Sequence, residues 1–528
     1  MDAVTKTLAD ENAALRKSNL QLQQSLAHKE MIIAQKQQQI EQLLEQFHLQ
    51  RHRQFGASSE QVAPGQGHLF NEVEVILAEG SAEPEAPTAD ETEHGAATPR
   101  PMRGRRQPLP AALPRLDVIH DLTEPDKVCA CGCERHAIGE VISEQLDIIP
   151  AQVRVIRHIR KKYGCAGCEA APITAALPPQ PIPKSNASPG LLAHIAVAKY
   201  QDALPLHRQE SVLQRAGIDL PRQTLARWMI RAAELLQPLH HLLRDHLLAG
   251  PVIHCDETVV QVLKEPNKSA TSHSYMWVQS GGPPHQAVTL FDYRPNRSGQ
   301  VPLHLLQDYR GYLMTDGYEG YNAIAQQDGV EHLCCWAHVR RKFVEAQRAQ
   351  PKSKNTKIGT VGKADMALNY IGKLYGIERR CHGDDLAARH QIRQQESVPL
   401  LQQLRAWLDK MLSTVLPSGK LGEALLYLHK CWHKLIRYTE RGDLPIDNNR
   451  AENAIRPFVV GRKNWLFSDT PQGANASAII YGVIETAKAN RLEPYAYLRR
   501  LFTDLPSAAN IEAIEQLLPW ALTPDEQA

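Results

Sequence analysis

The sequence predicts an α/β core that is interrupted by an α-helical insertion and preceded by three accessory segments. Three observations lead there. Short strand-like runs follow one another between residues 249 and 338, helical content rich in Lys, Arg and Gln fills 339 to 444, and a heptad repeat opens the chain. A length of 528 residues exceeds what one hydrophobic core organises, so several domains are expected. Apolar residues at 43% and charged residues at 22% fit a soluble globular class, and no run of about 18 apolar residues exists to span a bilayer. The opening MDAVTKTLADENAALRKSN lacks the apolar core of a secretory signal, which makes the cytoplasm the expected compartment and excludes a membrane partner.

From about residue 5 to 49 the heptad places Leu8, Leu15, Leu22 and Leu43 in one column and Leu26, Ile33, Ile40 and Phe47 in the other. Asn12, Asn19, Lys29 and Lys36 share the seam, where polar groups weaken pairing but select register. The segment 1–55 is therefore read as a coiled coil that pairs two chains, against the alternative of a helix folded back on its own protein. Residues 56–116 form a linker rich in Pro, Gly, Ala and Glu, with a short helix expected around LFNEVEVILAE. Its acids, Glu83, Glu85, Asp90, Glu91 and Glu93, give way to Arg100, Arg103, Arg105 and Arg106, a run that could follow phosphates or simply stay solvated. The net charge of +2 decides nothing about partners.

The segment 117–180 carries VCACGCERH, with Cys129, Cys131 and Cys133, and YGCAGCEA, with Cys165 and Cys168, on either side of an alternating stretch. Two close pairs brought together across a hairpin supply the four ligands of a tetrahedral structural Zn²⁺, four of these five cysteines or His136 providing them. Free thiols and C-x-x-C redox chemistry are the competing readings, the latter lacking a βαβ context. Residues 181–248 are read as helices, and ESVLQRAGIDLPRQTLARWMIRAAE has the helix, Gly217 turn and helix of a helix-turn-helix, with Pro221 at the start of the second helix. Arg222, Gln223 and Arg227 would then face DNA, although ordinary helical hairpins share the pattern.

The chemistry sits in the core, read as 249–338 and 445–490 with the insertion at 339–444 between them. GPVIHCDETVVQVL presents Asp256 on a first strand, SYMWVQS and HQAVTLFDYR add two more, and GYLMTDGYEGYNAI delivers Asp316 at the end of a fourth. EHLCCWAHVRRKFVEA begins as strand and continues as helix. This is the ordering of an RNase H-like sheet, whose first and fourth strands are neighbours, so that acids 60 residues apart meet at one metal. A third acid is required, since Mg²⁺ takes oxygen ligands from more than one carboxylate. In LPIDNNRAENAIRPFVVGRKNWLF, Asp447, Asn448 and Asn449 can cap a helix that carries Glu452 and Arg456 on one face, so that Glu452 can face the metals while Arg456, Arg462 and Lys463 hold phosphate. Asp447 and Glu485 are rivals for the third place.

The stretches HCDET, MTDGYEGYN, CCWAHVRRKF, DNNRAENAIRPFVVGRKNWLFSDTPQGA and IETAKANRLEPYAYL together resemble the bacterial insertion-sequence sixty-six transposases, over nearly the whole chain. The resemblance implies a DDE-type catalytic domain with Asp256, Asp316 and Glu452 as its acids, binding Mg²⁺ or Mn²⁺. It also implies an N-terminal leucine-zipper region ending near RQFGASSE, a zinc region and a tail domain at 491–528. The family's opening C-x-x-C would fall on Val128 and Cys131, so Cys129 or Cys133 must stand in. Cys335 and His338 form a C-x-x-H similar to one near the active site of several DDE groups, and His338, Arg340, Arg341 and Lys342 are candidate DNA contacts; a structural Cys and His pair is the alternative. The implied activity is binding of element ends, cleavage to 3′-OH ends and joining to target DNA. Implied partners are DNA (terminal inverted repeats and target), a homodimer or larger synaptic assembly and small accessory proteins, in a bacterial, nucleoid-associated setting. A DNA-binding regulator without catalysis, a nuclease that never joins ends and a coiled-coil scaffold are the competing functions.

Overall fold

The computed structural model describes residues 153–163 and 173–522, apart from 284, 350–361, 382 and 384, together with Gln23, Lys29, Ile32 and Lys36. Those four positions are helical and exposed; the rest of the heptad segment, the linker, the Arg100–Arg106 run, His136 and the five zinc-candidate cysteines lie outside the described residues. The chain divides into two compact units, Met1–Ser58 with Arg160–Ala528, and Ser59–Ile159. Of the second unit only residues 153–159 are described, exposed and without regular structure. The alternating pattern around them therefore yields no strand there. Beyond it, β1 (Lys162–Tyr163) pairs antiparallel with β2 (Ile173–Thr174).

Three helices follow. Ser188 caps α1 (Pro189–Tyr200) by accepting from Leu191 N, and Pro189 opens the first turn, where its missing N–H is harmless. Between α2 (Leu206–Arg215) and α3 (Arg222–Leu248) the chain turns at Gly217, φ +78°. Pro221 is the extended residue just outside α3 rather than its first helical one, because the Glu210 carboxylate captures the Arg222 N–H at 3.0 Å and starts the helix there. Leu225, Trp228, Met229, Ala232, Leu236, Leu239 and Leu243 recur at helical spacing along α3 and are all buried.

The central sheet has the order β5-β4-β3-β6-β7. Its strands are β3 (Val252–Gln261), β4 (His273–Gly281), β5 (Val288–Arg294), β6 (Gly311–Thr315) and β7 (Val330–Cys334). β3, β4 and β5 form an antiparallel meander, whereas β6 and β7 run parallel to β3. A parallel pair needs a crossover, and the short helix α4 (Gln300–Leu305) lies in the connection from β5 to β6. Side-chain alternation sorts the aligned triplet Glu257, Trp277 and Asp292 to one face and Asp256, Val278 and Phe291 to the other. α3 covers the first face, where Arg244 pairs with Asp292 at 2.7 Å and reaches Gln279 at 3.2 Å.

The second face receives α10 (Asn449–Trp465), while α11 (Pro471–Ala489) lies along the β5 edge. There Thr486 Oγ1 accepts from Thr289 N at 3.0 Å and donates to Thr289 O at 2.8 Å, so the outer strand has no raw edge at that point. Phe291, Phe458 and Tyr481 pack ring against ring beneath. Between the strands and α10 stand α5 (Trp336–Ala349), α6 (Lys363–Arg380), α7 (Leu386–Ile392), the π-helical segment Arg393–Ser397, α8 (Val398–Leu412) and α9 (Lys420–Ile436). They build a second core that takes in Met314 and Leu333 from β6 and β7. The chain ends in α12 (Pro494–Asp504) and α13 (Ile511–Glu515), packed on α1 and α3. Among the described residues no helix is long and apolar enough to cross a membrane.

Candidate active site

Strand register brings the two aspartates together. Val252, Ile253 and His254 pair with Tyr312, Leu313 and Met314, so continuing the register two residues sets Asp256 level with Asp316 at the neighbouring strand end. Each carboxylate is held from its own backbone: Asp256 Oδ1 accepts from Glu257 N and Asp316 Oδ1 from Tyr318 N, both at 2.9 Å. Gly317 permits the turn after Asp316 because a Cβ there would meet the Tyr427 ring at 2.7 Å; instead Gly317 N donates to Tyr427 Oη at 3.0 Å.

Glu452 reaches the same place from α10, and one buried asparagine sets that helix. Asn448, fully buried, donates from Nδ2 to Cys255 O (2.8 Å) and from its backbone N to Cys335 Sγ (3.1 Å), and its Oδ1 lies 3.1 Å from His254 Nδ1. It thus ties β3, the β7–α5 junction and the start of α10 to one another, four residues from Glu452. The expected helix cap is corrected by this. Asn448 occupies the cap position without a side-chain cap bond, because its amide is spent on the strands. Asp447 turns the preceding backbone, accepting from Asn449 N at 3.2 Å and from Tyr375 Oη at 3.0 Å. Glu485 is buried in α11 and paired with Lys488 at 2.8 Å.

The electrostatics are those of acids held close, with one arginine opposing them. Burial first, then the charges of Glu257, Asp316 and Glu452, push the Asp256 carboxyl up to about 8. Glu452 is also raised, by burial and by Asp447 and Asp316, with Arg341 opposing at 3.4 Å. Glu452 Oε1 and His338 Nδ1 face each other at 3.4 Å, buried and without hydrogen-bond partners. His338 is held neutral, lowered to about 4 by burial and then by Arg341. Acids that act on one another's charge, one of them with an orphaned carboxylate oxygen, are of the donor chemistry that suits a divalent cation. Among the described residues it is Cys335, His338 and Glu452 whose ligand atoms converge within 4.8 Å, but Asn448 N already occupies the Cys335 sulfur.

The predicted contacts divide. His338 and Arg341 stand beside Glu452, and Arg462 Nη1 reaches Thr258 Oγ1 at 3.3 Å on the Asp256 face of β3. Lys342 lies over the Tyr427 ring, Arg340 and Arg456 are partly buried, and Lys463 is exposed. Arg222, Gln223 and Arg227 are exposed on the first turns of α3, a separate element. Sequence reasoning missed Glu257, which sits on the opposite face from Asp256. It accepts from Arg297 Nε at 2.6 Å and from Tyr321 Oη, while Arg297 lies 3.7 Å over the Tyr318 ring. This group braces the loop after Asp316; an acid directly beside Asp256 in HCDET was the available signal.

Comparison with known proteins bears on all of these regions. Residues 184–476 match the transposase IS66 family model, 126–169 the zinc-finger binding domain of transposase IS66, and 483–520 the IS66 C-terminal element. Residues 42–118 match a model described as transposase C of IS166 homeodomain. Uncharacterized protein y4jD of Sinorhizobium fredii is 32% identical over 433 residues, covering 79% of this chain and 82% of the relative. Uncharacterized protein y4qI of the same organism is 30% identical over 472 residues, 86% and 83% of the two chains. With one model spanning more than half of its length and such relatives aligned over most of theirs, the chain belongs to the transposase IS66 family.

Proposed function

We propose that this chain is a DNA transposase that cuts at the ends of an insertion sequence and joins the freed 3′ ends to target DNA. The observation that carries the reading is the register of Asp256 with Asp316 on adjacent parallel strands, supported by Glu452 being near enough for its charge to act on Asp256. A mixed sheet of order β5-β4-β3-β6-β7 with one antiparallel meander supports an RNase H-like core. Asp256, Asp316 and Glu452 would hold Mg²⁺ or Mn²⁺, which when bound supplies charge neutralisation and nucleophile activation for in-line phosphoryl transfer.

The chain's own residues do the rest. Asn448 and Tyr427 fix the acids before substrate arrives, so little reorganisation is left for the reaction. Arg341, Arg462 and Lys463 offer positive charge to the DNA backbone. In the first step water oxygen bonds to phosphorus as the 3′ oxygen leaves and takes a proton, giving 3′-OH and 5′-phosphate. In the second that hydroxyl bonds to a target phosphorus and displaces the target's 3′ oxygen. Pairing of two ends calls for a dimer or larger assembly, which the heptad segment would supply, and zinc would brace the cysteine module. Accessory proteins of the same element are further expected partners.

The test is strand transfer by the purified full chain with labelled terminal-repeat DNA, target plasmid and Mg²⁺. Joined product from wild type and none from Glu452→Gln is the expected result. Cleavage that never proceeds to joining would instead mark a nuclease.

A further inference from the structure

α10 ends in a strained turn that shows apolar side chains to solvent. Leu466 sits at φ +66°, ψ −52°, and Phe467 N donates across it to Trp465 O at 2.8 Å. This is a γ-turn of the hand that L residues rarely adopt, and no glycine relieves it. Leu466 is 63% exposed and Phe467 43%. A strained turn that buries its side chains would be explained by packing; this one presents them.

The base of the turn is rigid. Trp465 packs edge-on against Phe458 with ring centroids 5.3 Å apart and lies under Lys199 Nζ at 5.3 Å. Beyond the turn, Ser468 N donates to Gln261 O at 2.9 Å and Leu263 N to Ser468 O at 3.0 Å, stitching it to the end of β3. β3 is the strand of Asp256. Gln261 lies five residue steps along the strand from Asp256, roughly 17 Å at ~3.3 Å per residue, or about five base steps of a DNA strand at ~3.4 Å.

The surroundings are basic. Arg462 and Lys463 occupy the last turn of α10, and the acid beside the turn, Asp469, is paired with Lys264 at 2.8 Å. An apolar prow set among cations, on the strand of the acids, matches a polyanion that also offers flat apolar faces. The geometry points to the Leu466–Phe467 turn as a wedge that enters bound DNA at a base step near the cut, with Phe467 stacked on an unstacked nucleobase. The inference rests on the transposase reading above and names how that site grips its substrate.

The experiment uses the full chain without divalent cation and a terminal-repeat duplex in which 2-aminopurine is moved one position at a time through about ten terminal base pairs. Wild type is expected to raise the fluorescence at one position, about five steps from the cut. Phe467→Ala should lose that rise and bind the duplex roughly tenfold more weakly with an unchanged melting temperature, whereas Phe467→Trp should keep both. Leu466→Gly, which relieves the backbone strain and removes the wedge, should also lose the signal. The inference is overturned if Phe467→Ala gives the wild-type signal, or if wild type binds the duplex with no rise at any position. It is equally overturned if Phe467→Ala changes only the oligomeric mass by light scattering, since the turn would then be a contact between copies. Failure of wild type to bind DNA at all would remove the transposase reading together with this one.

Discussion

Two clusters of inward-facing charge in this chain are built on opposite terms. In the helical segment between β7 and α10, Arg393 is completely buried on the π-helical stretch, and every direction it points in is answered. Its Nε and Nη2 donate to Glu378 at 2.9 and 2.7 Å, and its nitrogens reach the carbonyls of Tyr438, Arg441 and Leu444. Arg389 adds a second cation to Glu378 at 2.7 Å. At the strand ends, Asp256, Asp316 and Glu452 gather like charge, Asp256 and Glu452 are raised by burial and by neighbouring acids, and Glu452 Oε1 has no partner. A buried charge that is fully paired serves the fold, because its desolvation is offset within the protein. A group of like charges opposed only by the half-exposed Arg341 is suited to take up a cation from outside. The first cluster also serves the second. Arg393 grips residues 438 to 444, the stretch of chain that leads directly to Asn448 and Glu452.

The largest effect separates the two clusters by activity. Glu452→Gln or Asp256→Asn should lower strand transfer by about a thousandfold or more, equivalent to some 4 kcal/mol of barrier, measured on end-joining gels. Asp256→Asn should leave the metal-free melting temperature unchanged or higher, since it replaces a carboxyl that burial among other acids makes unfavourable; a marked fall would mean that the acids are held by internal partners like Glu378. Next comes Arg393→Ala, which leaves Glu378 with Arg389 alone and takes the side-chain donor from three carbonyls. A loss of about 3–5 kcal/mol in denaturant unfolding is expected, and the paired replacement Arg393→Met with Glu378→Leu should recover much of it. If the single variant unfolds no more readily than wild type, the contrast between the clusters fails.

Acid should weaken the fold through a third kind of buried group. Burial, aided by Lys434, lowers His332 to about 3, and burial lowers His240 to about 4. The unfolded chain takes up these protons below about 6.5 while the folded chain refuses them, so stability falls as pH drops from about 6.5 toward 4. Melting temperatures across that window should decline, and His332→Asn, which keeps a partner for Thr315 Oγ1, should flatten the decline. The smallest expected effect is at Arg341, 45% exposed and 3.4 Å from Glu452. Arg341→Ala should alter stability by less than about 1 kcal/mol, yet weaken DNA binding and reduce its salt slope by about one. An unchanged slope would place Arg341 with the structural ion pairs.

Much of the candidate active-site region is legible in the chain itself. Strand-like runs around Asp256 and before Asp316, the strand that becomes a helix at Trp336 and the helix carrying Glu452 all stand where their patterns indicate. These are local signals, set by alternation and by short polar breaks, and a sequence states them directly. The partners were not legible. Nothing near Gly317 announces Tyr427, 110 residues away, and nothing near His254 announces Asn448, 194 residues away. Asp447, Asn448 and Asn449 read naturally as a helix cap, and the tertiary contacts gave Asn448 different work.

What the sequence determined alone was the order of elements, the acids they carry and the family to which the long motifs belong. Only the tertiary structure decided the residue-by-residue register between the strands of Asp256 and Asp316, that Asn448 sets the helix of Glu452, and that Arg393 fastens the returning chain. The reason is physical. Periodicity is written in neighbours a few residues apart, whereas hydrogen bonds between distant segments depend on which backbones the packed core brings within about 3 Å, and that is fixed by the whole chain at once.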